Sequence, residues 1–219
     1  MKSTFYSLLI VIMALLSCKK NNNIDGGVHD PRVNMTTFDF LKSRGALFDT
    51  LILLIERTGL KEQLNGDITF FAPTDYCIRN YMDAKALQRR QQTNDDTQLF
   101  SIDSLSVQAW KDTLQLYMVP GKINRTDLEK NGNQLVKSRS GDSVYISLRE
   151  TREYTDYTPG FRPKILWYTR VIRGLDPDGA TVPDANRDAA DYCQTSGIIT
   201  TTGILHVMND LHVVTFGRK

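Results

Sequence analysis

Residues Ile68-Thr69-Phe70-Phe71-Ala72-Pro73-Thr74-Asp75, ITFFAPTD, decide the fold. Ile68 to Phe71 is a short β run, and Pro73, which has no N–H to donate, breaks it. Thr74 or Asp75 suits the cap of a new helix, and Cys77, Ile78, Tyr81 and Met82 fall on its inward face. The strand runs straight into a helix.

Upstream the period is helical. Thr36 and Thr37 are candidate caps before Phe38, Phe40 and Leu41. In GALFDTLILLIERTGL, Phe48, Leu51, Ile52 and Ile55 recur at i, i+3, i+4 and i+7, and Gly59 is a natural stop. Downstream, residues 83–103 are polar and read as a loop or an exposed helix. Val107, Trp110, Leu114 and Tyr117 share a second helical face, capped by Ser104 or Ser106 and stopped by Pro120-Gly121. From there the chain reads as β. Val144, Ile146 and Leu148 alternate with polar residues after a turn at Arg139-Ser140-Gly141-Asp142, and Lys164 to Ile172 is another strand. Residues 174–196 read as a long loop, and Gly197–Thr202 and Ile204–Phe216 as further alternating runs. Helices first and strands later, without βαβ alternation, make an α+β domain.

Three segments resemble, in order, the signatures of fasciclin-like domains: ITFFAPTD at 68–75, LYMVPGKI at 116–123 and SGIITTTGILHVMN at 196–209. The resemblance covers about residues 35–217. It implies N-terminal helices packed on a β-sandwich or wedge of mostly antiparallel strands. Two positions depart from the family pattern. Leu116 and Tyr117 stand where the family often has a Tyr-His pair linked to receptor adhesion, so that activity is not carried over. Thr202-Gly203 replaces the usual Asn-Gly, while His206 is kept. The chain is longer than a minimal domain of this kind, with insertions near 83–103 and 149–190, where individual specificity is expected.

The N-terminus has its own logic. Lys2 precedes the apolar run Phe5 to Leu16, which is too short to span roughly 30 Å of hydrocarbon and ends in Leu15-Leu16-Ser17-Cys18. This resembles the lipobox of bacterial lipoproteins. Residues 1–17 are expected to be a signal peptide, Cys18 the lipidated residue, and 18–34 a polar tether before a single domain at 35–217. The resemblance implies a Gram-negative cell envelope, with the chain anchored to the outer membrane on its periplasmic or surface side.

The chemistry is sparse. Twenty-seven basic residues against 25 acidic ones give no stripe for nucleic acid. Neither a Gly-x-Ser-x-Gly elbow, a His-Glu-x-x-His motif nor a phosphate-cradling glycine loop occurs. Cys77 reads as core filler, and Cys77 with Cys193 as two separate thiols or one disulfide. His206 reads as a core histidine bonded to backbone or to a tyrosine, and His212 as a solvent-facing or edge residue. The acidic loop from Asp176 through Asp184, Asn186, Asp188 and Asp191 has calcium-type oxygens, but Thr181 and Arg187 occupy the sixth and twelfth positions, which breaks an EF-hand. No metal and no cofactor is expected. Trp167 and Tyr168 adjoin on one strand and so face opposite ways, one of them into the core. Tyr154, Tyr157 and Phe161, in the 149–190 insertion, are the expected binding surface.

The expected function is a non-catalytic, lipid-anchored adhesion or ligand-binding module whose partner is a protein or glycan at the envelope. The alternative is an accessory subunit of an outer-membrane glycan or peptide uptake complex; a hydrolase with an unread site comes third. Cys18→Ala should release the protein from membranes or leave it unprocessed. Mass spectrometry that finds an unmodified Cys18 in a mature soluble form overturns the anchor.

Overall fold

Thr36 starts the helical layer, its hydroxyl accepting the Asp39 N–H at 3.1 Å to cap α1, Thr37–Ser43. The computed structural model describes residues 30–151, 162–177 and 181–217. After α1 come α2 (Asp49–Thr58) and the single turn α3 (Lys61–Leu64). Gly59 ends α2 in the left-handed conformation at φ 65°, as a C-terminal stop requires. Leu51, Leu54 and Ile55 are buried, together with Phe48 just before the helix.

The deciding stretch folds as read. Strand β1, Ile68–Ala72, is buried at every residue, and α4, Asp75–Thr93, begins directly after it. Two neighbouring side chains share the junction. Thr74 accepts the Cys77 N–H to cap α4, and the Asp75 carboxylate accepts the Thr50 and Leu51 N–H groups at 2.9–3.1 Å to cap α2. One turn thereby satisfies the open ends of two helices. The polar run after residue 83 is helix as far as Thr93, where Asn94 stops it at φ 52°.

Helix α5, Val107–Gln115, is capped by Ser106 and buries Trp110 and Leu114, while Val107 on its first turn stays exposed. It ends sooner than Pro120. Met118–Pro120 is strand β2, paired with Ile68–Phe70, because the open side of β1 offers backbone partners that a continued helix would leave unsatisfied. A short helix not anticipated, α6 (Arg125–Asn131), follows, with Asn124 as its cap.

The remaining strands are β3 (Gln134–Lys137), β4 (Ser143–Glu150), β5 (Lys164–Val171), β6 (Ala189–Ile199) and β7 (Ile204–Met208). They complete a seven-stranded sheet in the order β2-β1-β7-β6-β5-β4-β3, antiparallel except for the β1–β7 pair. The turn after β3 reaches back to β2 through an Arg139 N–H bond to the Met118 carbonyl at 2.8 Å, so the sheet curls into a wedge close to a barrel. Two boundaries differ from expectation. The loop after residue 174 gives way to β6 at Ala189, where pairing with β5 overrides the weak strand preference of Ala and Asp. The last strand stops at Met208, where Asn209 turns the chain by accepting the Leu211 N–H. At the other end, the chain meets the sheet from Pro31: the Val33 N–H donates to the Ile199 carbonyl, and the Ile199 N–H donates back to the Pro31 carbonyl. Among the described residues, no helix is long and apolar enough to cross a membrane.

Trp110 tests the packing of helix on sheet. It is 3% exposed, meets Tyr81 edge-on and donates its indole N–H to the Ile102 carbonyl at 2.7 Å. Trp110→Ala should cost about 3–5 kcal/mol. Urea unfolding that leaves the midpoint unchanged would contradict this placement.

Candidate binding face

Alternation along β4 sends Val144 and Ile146 into the core and puts Tyr145, Ser147 and Arg149 on the opposite face. Register extends that face across the sheet. Ser147 lies opposite Trp167 and Tyr145 opposite Thr169 on β5, and Trp167 lies opposite Tyr192 on β6. Tyr168, on the other face of β5, is fully buried and donates its hydroxyl to the Leu116 carbonyl. The adjoining pair Trp167 and Tyr168 thus splits between surface and core.

Arg149 organises the outer face. Its Nε donates to Ser147 Oγ and one Nη2 hydrogen to Thr169 Oγ1, both at 3.1 Å, and its guanidinium lies 4.7 Å above the centre of the Trp167 ring. Trp167 in turn tilts against Tyr192 at 5.7 Å. The charge is exposed, yet the side chain is held at three points, so a partner need not order it on binding.

The loop between β5 and β6 supplies a wall. Asp188 accepts the Ile172 and Asp176 N–H groups at 2.9 and 3.0 Å, and Asp176 accepts the Asp188 N–H at 2.8 Å. This reciprocal clasp fixes Leu175 and Pro177 beside the sheet and encloses a cleft of about 530 Å³ that Arg149, Tyr145 and Asn133 also line. The same loop's described carboxylates are engaged within the chain. Asp176 and Asp188 hold backbone, Asp184 pairs with Arg187 at 3.0 Å, and Asp191 pairs with His212. Among the described residues, no three His, Cys, Asp or Glu side chains converge as a metal site; Asp178 lies outside those residues.

Cys18, Tyr154, Tyr157 and Phe161 also lie outside the described residues. Cys77 and Cys193 are separate buried thiols, and burial pushes Cys77 up to about 11 and Cys193 higher still, so both stay protonated and unreactive. His206 is the core histidine expected: its Nδ1 accepts the Gly197 N–H and its Nε2 donates to the Ile123 carbonyl, each at 3.0 Å, with Phe71 stacked on the ring. His212 is not at the surface. It is fully buried, with Nδ1 bonded to Asp191 and Nε2 to the Tyr117 hydroxyl, each at 2.7 Å. The last strand ends before residue 212, and the turn that follows carries the ring inward. This Tyr-His-Asp row resembles a proton relay in outline, but Tyr117 and His212 have no exposed surface, so it ties the C-terminal turn to β2 and β6.

Arg149 was the residue missed. The alternation of Val144, Ile146 and Leu148 was enough to find it, since the intervening positions necessarily share the other face. Nothing in the sequence joins Tyr117 to His212, which only the tertiary fold brings together.

Residues 46–173 match the fasciclin domain, and the chain belongs to the fasciclin family. The match ends inside the 149–190 insertion, so β6 and β7 lie beyond it. Among solved structures the chain is similar to a FAS1 domain pair from the insect cell adhesion molecule Fasciclin I. The identity is 10% and the TM-score 0.44, over 78% of this chain and 46% of that one, so this chain spans less than half of that structure's length. No curated protein sequence matches.

His206 makes stability depend on pH. Burial away from water holds its ring neutral down to about pH 4, whereas the exposed side chain of the unfolded state takes a proton near 6.5. Between those values the unfolded state binds more protons. The stability present above about pH 6.5 is therefore lost as the pH falls toward 4, by up to about 3 kcal/mol. Urea unfolding across this range should show that loss, with a flatter profile for His206→Gln. Equal slopes for the two proteins would contradict it.

Proposed function

We propose that this chain is a non-catalytic adhesion or ligand-binding module, held at the outer membrane of a Gram-negative envelope by lipid on Cys18. The outer face of β4, β5 and β6 takes its partner. Fasciclin domains generally serve as adhesion and binding modules, and the sequence from Lys2 to Cys18 supports the anchor.

The observation that carries the site is Arg149, braced by Ser147 and Thr169 and stacked on Trp167 beside an open cleft. A guanidinium fixed next to a flat ring suits a partner that offers an anionic or hydrogen-bonding group close to an apolar surface. Acidic glycans and carboxylate-bearing protein segments both do so. Tyr154, Tyr157 and Phe161 belong to the same insertion and are proposed to extend this surface.

Co-purification from detergent-solubilised membranes tests the reading. Arg149→Ala and Trp167→Ala should each lower recovery of the partner by about tenfold or more, as expected of anchor residues, with little change in melting temperature. Variants that fold normally and keep every partner remove this face from consideration. A partner that proves to be a transporter replaces the adhesion reading with the uptake-accessory one.

A further inference from the structure

The other insertion builds a second cleft. Beyond Thr93 the chain turns at Asn94, and the Asp95 carboxylate gathers the Thr97 N–H and hydroxyl and the Gln98 amide at 2.7–2.9 Å. The returning segment is pinned along α4: Arg90 Nε donates to the Gln98 carbonyl at 2.9 Å and Arg89 Nη1 to the Leu99 carbonyl at 3.3 Å. This sets Phe100 edge-on against Tyr81, with ring centres 5.9 Å apart. Between α4, the returning segment and α5 lies an open cleft of about 410 Å³, floored by Tyr81 and Phe100 and walled by Ala109 and Thr113. That volume falls in the range of small-molecule sites.

Two cations stand over the floor. Arg89 lies 4.6 Å above the Phe100 ring and Lys85 lies 5.6 Å from the centre of Tyr81. The lining contains no carboxylate. Among the described residues neither cation forms an ion pair; Lys85 reaches only the Gln88 amide, at 3.4 Å. Positive charge is thus concentrated over an apolar floor that no carboxylate lines.

We propose that this cleft binds an amphipathic organic anion: a carboxylate, phosphate or sulfonate joined to a flat or aliphatic body. The anionic head pairs with Lys85 and Arg89, and the body covers Tyr81 and Phe100. A bare inorganic anion leaves the floor wet, and a neutral hydrophobe leaves both cations without a partner. A ligand with both parts gains both interactions.

The test titrates 8-anilinonaphthalene-1-sulfonate into the full chain and follows fluorescence, with uncharged N-phenyl-1-naphthylamine as the comparison. The sulfonate should bind about tenfold or more tighter than the neutral probe. Lys85→Gln, which leaves the pinned segment untouched, and K85Q/R89Q should progressively remove that preference, while Ala109→Phe should block both probes by filling the cleft. Dodecanoate should displace the sulfonate and inorganic phosphate should not. Displacement by free dodecanoate alone points to a soluble ligand, and displacement by phosphatidylglycerol vesicles as well points to a membrane lipid. Sulfonate binding unchanged in K85Q/R89Q, or no tighter than that of the neutral probe, overturns the proposal. So does full binding by an Ala109→Phe variant with an unchanged melting temperature.

Discussion

Gly203 lies so close to the Ile68 carbonyl that a β-carbon added there would sit 2.5 Å from the oxygen. Its φ is ordinary, so the constraint is space. This approach lets β7 start beside β1 and run parallel to it, Thr69 opposite Ile204 and Ala72 opposite Val207. The surrounding residues lock the join. Thr200 accepts the Gly203 N–H and donates to its carbonyl, while the Thr37 hydroxyl bonds to both Thr200 and Thr202, drawing α1 against the same corner. At the far end of the pair, the Thr74 hydroxyl donates to Asp210, just after β7, and the Cys77 thiol donates to the Asn209 carbonyl. Segments 68–75 and 196–209 are thus two sides of one joint.

The polar side chains inside the wedge are all matched, several of them by more than one partner. Among the described residues, every buried side-chain nitrogen and oxygen has a hydrogen-bond partner. His206 explains the irregularity in β6, where Gly197 sits at φ 84° and the register with β7 shifts: the bulge aims the Gly197 N–H at the imidazole. Tyr117 does similar service at the C-terminus. Its hydroxyl accepts the Thr215 N–H in a turn where Thr215 and Phe216 both hold positive φ, a strained arrangement kept by the bonds and rings packed around it.

The core of this architecture was legible because its signals are local. The caps at Thr36, Thr74 and Ser106, the stop at Gly59 and the buried run at Ile68–Ala72 each depend on a few adjacent residues. What escaped depends on partners distant in sequence. Met118–Pro120 is too short to declare a period and becomes a strand only because β1 lies beside it. Ala189–Tyr192 likewise takes its conformation from β5. Of the candidate face, the insertion was visible and its bracing was not. Arg149 looks like any strand-end arginine until register places Trp167 and Thr169 next to it.

The parallel pairing of β1 with β7 also sets an order of events. Phe70 and Leu205 are partners, yet most of the domain lies between them in the chain. Closing so long a loop is entropically costly, and such non-local pairing slows folding. As the chain is made from its N-terminus, the helical layer and β2 are available long before the strand that completes the centre of the sheet. Until β7 arrives, one edge of β1 keeps unpaired backbone groups, in a segment whose side chains are all apolar or β-branched. The nascent domain is thus most vulnerable to aggregation at the very stretch that later becomes its most buried strand, and its last few dozen residues relieve that exposure.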